Sequence, residues 1–332
     1  MNADSAQHAS VVVDGHSSSV VTDFDHGISA IDTGFFRRQF DASHLIVENG
    51  RAAFVDVGTN YSVPRLLDTL ERKSIPVEAV DYVLLTHVHL DHAGGAGLLM
   101  RSLPNARAVL HPRGARHMID PSALVAGATA VYGAEEIERS YGTLVPIPPE
   151  RIDIANDDHV VELAGRPLRC LDTPGHARHH YCIHDAASAA FFTGDTFGLS
   201  YREFDTDKGA FILPTSTPVQ FEPEALHASI DRMLGYSPRQ MFLTHYSRVT
   251  GVERLAEDLH AQIDAMVAIA RGHATDANRH ARIASDLADL YIGRAATHGC
   301  AFGPERVREL LVMDIELNTQ GLEVWLDRNK RN

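Results

Sequence analysis

Four side chains within six residues, His87, His89, Asp91 and His92, follow directly on the apolar run Asp81–Leu85. Imidazole nitrogens and carboxylate oxygens suit zinc, iron or manganese, and the lack of nearby cysteine favours a catalytic centre over a structural one. Alternate residues of an extended segment project to one side, so the spacing predicts that His87, His89 and Asp91 converge. The C-terminal end of a strand is also where α/β folds place their sites. Three more candidates stand downstream, each at a turn after an apolar run: His176 in DTPGHA, Asp195 in FFTGDT and His245 in FLTHYS. Gly175 and Gly194 permit tight turns that aim the next side chain inward. Singly, each of the three reads as an ordinary loop residue. Together with the first cluster they read as ligands.

The elements that must position these residues alternate between strand and helix. His44–Glu48, the dipeptide Asn49-Gly50 and Ala52–Asp56 read as a β-hairpin, because Asn-Gly suits a type I′ turn. A helix is expected at about 62–73, with Leu66, Leu67 and Leu70 on one face, and another at about 94–102. Strands are expected at 81–85, 107–110, 167–171, 181–184, 189–193 and 241–244, and a helix at about 222–234. Residues 1–20 read as a flexible arm, and 112–150 as a partly helical, lid-like insertion in which Tyr132 and Tyr141 either cap a pocket or pack within the lid. From 251 to 332 the texture is helical, with Leu310, Leu311, Ile315, Leu322, Trp325 and Leu326 at helical spacing. Such a stripe packs on the core or on another subunit, which is a route to a homo-oligomer. Strands alternating with helices, then a helical tail, predict a layered α/β domain with an α-helical C-terminal extension.

The segments THVHLDHAGG, TPGH and FTGD, with the later His245, resemble the metallo-β-lactamase fold superfamily in order and spacing. The resemblance covers roughly residues 26–250 and implies a four-layer αββα sandwich over 21–250, with a two-metal site at the open edge of its sheets. It implies that His87, His89 and His176 hold the first metal, that Asp91, His92 and His245 hold the second, and that Asp195 bridges them. The ions implied are two divalent metals, zinc in most of the family and iron or manganese in some branches. Two such ions lower the pKa of shared water, and the resulting hydroxide attacks a polarised carbonyl while the metals stabilise the oxyanion. Asp91 is placed to orient or deprotonate that nucleophile. The implied activity is a dinuclear metal-dependent hydrolase of an ester, thioester or lactone, with a small acyl compound as substrate. A mononuclear iron dioxygenase of the persulfide dioxygenase type is the alternative on the same motifs.

Composition narrows the branches. The chain has 332 residues, 44 Asp+Glu against 30 Lys+Arg, and a net charge of −14, which disfavours nucleic acid and anionic lipid as partners. No apolar run reaches the roughly 20 residues needed to span a bilayer. MNADSAQHAS lacks a basic region followed by an apolar one, and three cysteines set no disulfide framework, so a cytoplasmic location is expected. A carboxylate at Asp195 is like the glyoxalase II and lactonase branches and unlike the β-lactamases. The lactonases often carry Tyr where this chain has Gly198, with Tyr201 as the nearby substitute, and the residues after TPGH depart from glyoxalase II.

Of the remaining polar groups, Asp56 reads equally as a partner for a ligand histidine or as a cap on the next turn. His179, His180 and His184 read as polar strand positions or as groups supporting the ligands, His111 as a strand-end residue or one that lines the pocket, and Cys170 and Cys182 as buried packing groups.

Overall fold

The computed structural model describes residues 20–216 and 219–330, with the side chains of Val131 and Tyr132 outside the description. The arm expected at 1–20 therefore lies outside the described residues except for Val20. One sheet holds Val21–Phe24 (β1), Ile28–Asp32 (β2), Ala42–Glu48 (β3), Arg51–Val55 (β4), Val80–Leu85 (β5), Arg107–Leu110 (β6) and Ile152–Ile154 (β7), side by side in chain order. Strands β4 to β7 run parallel and the others antiparallel. A second sheet holds His159–Leu163 (β8), Arg166–Asp172 (β9), Tyr181–Asp185 (β10), Ala190–Phe192 (β11), Gln240–Leu243 (β12) and Ser247–Thr250 (β13). Its order is β13-β12-β11-β10-β9-β8, with β11 and β12 its parallel pair.

The helices are Val63–Arg72 (α1), Leu90–Ala93 (α2), Ala96–Ser102 (α3), Pro112–Ile119 (α4), Ser122–Tyr132 (α5), Ala134–Tyr141 (α6), Pro223–Leu234 (α7), Val252–Gly272 (α8), Arg279–His298 (α9), Pro304–Leu310 (α10) and Val312–Asn329 (α11). No helix among the described residues is long and apolar enough to cross a membrane.

Period-2 alternation along the strands sorts the apolar residues into layers. Phe54, Val83 and Leu85 face outward onto Leu66 and Leu70 of α1 and Leu99 of α3. Val55, Leu84 and Val109 face inward and meet Leu168, Ile183 and Phe192 of the second sheet. On the far side Phe191 and Met241 pack against Leu259, Ile263, Leu287 and Trp325 of the tail helices. The result is the αββα sandwich, with the tail sharing one apolar cluster with the outer face of the second sheet. Each buried aliphatic or phenylalanine side chain stabilises the fold by roughly 1.5–3 kcal/mol. His44 is a core residue here, edge-on to the rings of both Phe192 and Phe242, and burial drives it down to about 4.

The Asn49-Gly50 turn closes the β3–β4 hairpin with positive φ at both residues, 46° and 77°, as type I′ requires. Two differences from the sequence reading bear on the site. Residues 90–93 turn into helix α2, so Asp91 does not continue an extended run with His87 and His89 but arrives from a helical turn. Strands β1, β2, β7, β8 and β13 went unassigned from the sequence, because most are short, and β13 (Ser-Arg-Val-Thr) alternates without a strong apolar signal.

The two sheets meet at one edge, where Tyr181 N donates to Thr86 O (2.9 Å) and Ala42 N donates to Thr244 O (2.8 Å). Along the seam behind it Phe192 stacks on Phe242 with centroids 5.0 Å apart. Phe192→Ala is expected to lower the unfolding free energy by about 3–5 kcal/mol. Urea denaturation followed through Trp325 fluorescence measures this, with the midpoint moving and the slope unchanged.

Candidate metal centre

Four of the seven candidate ligands follow the C-terminal end of a strand at that common edge, while Asp91 and His92 stand on α2. His87 follows β5, His176 follows β9, Asp195 follows β11 and His245 follows β12. The glycines before two of them work as local geometry demands. Gly175 (φ +130°) lies where a Cβ would come within 2.4 Å of the Leu226 backbone, and Gly194 (φ +47°) where it would come within 2.5 Å of Thr86 Oγ1.

The seven side chains stand in two groups. His87, His89, His176 and Asp195 form one, Asp91, His92 and His245 the other, and within each the ligand atoms all lie within 4.8 Å of one another. His89 Nδ1 is 2.9 Å from His87 Nε2 and 3.1 Å from His176 Nε2. Asp195 spans the groups, with Oδ2 3.4 Å from His176 Nε2 and Oδ1 3.3 Å from His92 Nε2 and 3.7 Å from His245 Nε2. His245 Nε2 lies 3.5 Å from Asp91 Oδ2.

The ring nitrogens facing away are held by specific acceptors, which fixes the tautomer and aim of each ring. His92 Nδ1 donates to Asp56 Oδ2 at 2.8 Å and His245 Nδ1 to Phe40 O at 2.9 Å. His87 Nδ1 faces Thr86 Oγ1 at 3.1 Å, and His176 Nδ1 faces Thr215 O at 3.4 Å. Asp56 is fully buried and also accepts from Thr86 N (2.8 Å), Thr86 Oγ1 (2.8 Å) and Thr244 Oγ1 (2.8 Å). Of the two readings left open for Asp56, the structure shows the partner to a histidine. The tail contributes too. Asn318 of α11 accepts from Ser216 N (2.7 Å) and donates to Pro214 O (3.2 Å), which clamps the residues on both sides of Thr215.

Electrostatics fit a cation. Burial drives His87 well below the ordinary imidazole range and His89 to about 3, so both are neutral, the form that ligates. Burial acts downward on His245 as well, but Asp195 and Asp91 outweigh it and lift the ring to about 9; His92 is lifted well above its usual value, most by Asp195. Burial pushes Asp91 up, yet the charges of His92 and His245 hold it at about 2. His92 Nε2 and Asp195 Oδ1 are buried with no hydrogen-bond partner, which a metal between them would satisfy. The donor set of five imidazoles and two carboxylates, with no sulfur, fits divalent zinc, iron or manganese.

Other sequence expectations shift. His179 and His180 lie in the turn before β10, not in a strand. His180 is buried against the centre: its Nε2 accepts from Asp195 N (3.2 Å), and Thr173 and Thr196 hydroxyls lie 3.2 and 3.1 Å from its Nδ1. His184 is a strand position, with its ring against Tyr236. His111 follows β6, caps α4 through Arg113 N and pairs with Asp172. Cys170 and Cys182 are buried packing groups whose thiols burial pushes up to about 12. Gly198 (φ +71°) has no room for a tyrosine, because a Cβ would sit 2.3 Å from Leu213 O. Tyr201 is buried and donates instead to Asp314 Oδ1 of α11 at 2.9 Å. Tyr141 packs beside Leu90, Ile137 and Leu144, so α5 and α6 rest on the loop that bears His89 and Asp91, while Tyr132 lies outside the described side chains. Sequence reasoning missed Asp41, fully buried near His245 and Asp91 and pushed by burial to about 7. Its position before β3 carries no motif.

The family model of the metallo-beta-lactamase superfamily matches residues 39–246. The chain belongs to that superfamily. Among solved structures, ST1585 of Sulfolobus tokodaii, an archaeal metallo-beta-lactamase superfamily protein, superposes with a TM-score of 0.63 at 21% identity, covering 90% of this chain and 98% of that one. The metallo-beta-lactamase fold-containing protein ST1585 of Sulfurisphaera tokodaii is 24% identical over 51% of this chain and 61% of its own length. An atrochrysone carboxyl ACP thioesterase of Aspergillus fumigatus is 32% identical over 35% of this chain and 27% of its own length. A hydroxyacylglutathione hydrolase of Stenotrophomonas maltophilia is 30% identical over 46% of this chain and 44% of its own length. The matches thus span less than two thirds of each of these three relatives.

Two outcomes follow for this metallo-beta-lactamase superfamily site. Asp56→Asn is expected to weaken zinc affinity by about 10–100-fold by releasing the His92 ring, as measured by competition with a chromophoric chelator. His92 and His245, raised above neutrality without metal, are protonated at pH 7 and must lose those protons to ligate. Zinc uptake by the metal-free protein should therefore release protons, and should weaken as pH falls. Titration calorimetry in buffers of different ionisation enthalpy reads the release directly.

Proposed function

We propose that the chain is a metal-dependent hydrolase holding two divalent ions, zinc foremost, and acting on the ester, thioester or lactone carbonyl of a small acyl substrate. The observation that carries this reading is Asp195, which offers one carboxylate oxygen to each ligand group from a buried position. When bound, the ions supply Lewis acidity and a hydroxide nucleophile at neutral pH. The chain's own residues do the rest. His87, His89 and His176 would hold one ion and Asp91, His92 and His245 the other, with Asp195 offering a carboxylate oxygen to each. Asp91 has 25% of its side chain exposed against 5% for Asp195, so it is the carboxylate that reaches the substrate side. It is placed to orient the nucleophile or to take its proton. The buried histidines, held through their outer nitrogens, keep the site preorganised. The thioesterase and hydroxyacylglutathione hydrolase among the relatives support an acyl substrate.

Elemental analysis combined with a panel of acyl esters, thioesters and lactones tests the reading. The expected result is two zinc ions per chain with turnover of at least one carbonyl class. His87→Ala and Asp195→Ala should each lower metal content, and Asp195→Ala should reduce kcat/KM by about a hundredfold or more. One iron per chain with oxygen consumption would sink the proposal in favour of the dioxygenase chemistry that the same motifs support.

A further inference from the structure

A groove of about 880 Å³ opens beside the metal centre between α4, the turn before β10 and the start of α7. His179 belongs to both: it lines the groove, and its ring lies 5.6 Å from that of the candidate ligand His89. His179 is 7% exposed, and its Nδ1 is buried with no hydrogen-bond partner. The opposite wall is α4, where Arg113, Arg116 and His117 are spaced to share one helix face.

The charge balance of this groove differs from that of the chain around it. With 44 acidic residues to 30 Lys+Arg, many arginines elsewhere are paired with carboxylates, as in Arg107–Asp153, Arg166–Asp185 and Arg279–Asp327. The groove's own acids are engaged as well: Glu222 with Arg178 at 2.5 Å, and Asp172 with His111 at 3.1 Å. Arg113 and Arg116 meet no carboxylate among the described residues. Arg113 donates to Arg178 O at 3.2 Å, and Arg116 Nε donates to His117 Nε2 at 3.3 Å. Both guanidinium groups are exposed and keep further N–H donors for a ligand. A planar, permanently charged fork suits a carboxylate or phosphate.

We propose that this groove seats an anionic arm, a carboxylate or a phosphate, of the compound processed at the metal centre, with Arg113 and Arg116 as the recognising groups. Processing at the metal centre rests on the hydrolase reading; the anion site itself does not. In this arrangement the carbonyl end lies at the metal ligands and the charged end on α4, with His179 between them.

The test uses the zinc-loaded full chain and three non-hydrolysable thioether analogues of one stem, ending in a carboxylate, a phosphate or a neutral primary amide. Titration calorimetry should show at least one anionic analogue binding about tenfold tighter than the amide. The double variant Arg113→Ala/Arg116→Ala, altered only at exposed positions, should lose that preference while keeping its zinc content and its affinity for the amide. Whichever anion gains more identifies the arm. Equal binding of all three analogues by the wild-type chain would overturn the proposal. So would an anion preference that survives in the double variant, because the metals would then be holding the anion. A parallel loss for all three analogues would also overturn it, since that is a scaffold effect. Charge-selective binding without turnover of any acyl substrate would leave the groove standing and remove the hydrolase reading. Turnover without charge selectivity would do the reverse.

Discussion

The buried side chain of Asp56 is the interaction on which the site depends. A carboxyl group with no access to water must have its oxygens satisfied, or the fold loses several kcal/mol. Here the donors are Thr86 N and Oγ1 at the end of β5, Thr244 Oγ1 at the end of β12, and His92 Nδ1 from helix α2. One side chain thus joins the ends of strands from both sheets to a candidate ligand. The backbone takes part as well, since Ser43 Oγ donates to Asp56 O at 2.7 Å and Asp56 N donates to Leu84 O at 2.9 Å. The residue sits at a left-handed φ of 51°, a conformation that the surrounding contacts impose.

A second layer of support comes from the helical tail. Helix α11 presses so closely on the residues after β11 that a Cβ on Gly321 would lie 1.7 Å from Ser216 O. Asn318 holds that stretch by hydrogen bonds, and the carbonyl of Thr215 within it faces His176. The tail therefore does more than cover an apolar sheet face. Its position sets the backbone that aims one candidate ligand, and Asp314 from the same helix holds the Tyr201 hydroxyl.

Local signals in the chain were readable wherever one short segment decides the outcome. Asn49-Gly50 dictates its turn because only residues tolerant of positive φ fit both positions. Gly175 and Gly194 mark tight turns before His176 and Asp195 for the same kind of reason. Leu66 and Leu70 marked the buried face of α1 by spacing alone. Signals failed where a partner is remote or a pattern ambiguous. His180 looked like a strand position in a histidine-rich run, and only the return of Asp195 N to its ring gives it a task. His44 looks no different in sequence from a ligand, yet it packs edge-on against two phenylalanines. Helix α2 was hidden because an HxHxDH run suits an extended strand equally well.

By itself the sequence determined the candidate ligand types, the strand-and-turn settings that present most of them, and the layered α/β architecture, because each of these is written in a few adjacent residues. Tertiary structure alone decided which acceptor fixes each imidazole ring. It also decided that a pair of arginines on α4 would stand unpaired beside the centre. Those outcomes depend on contacts between residues as far apart as Asp56 and Thr244, separated by 188 positions, and only the closure of two sheets at one edge brings such groups within bonding distance.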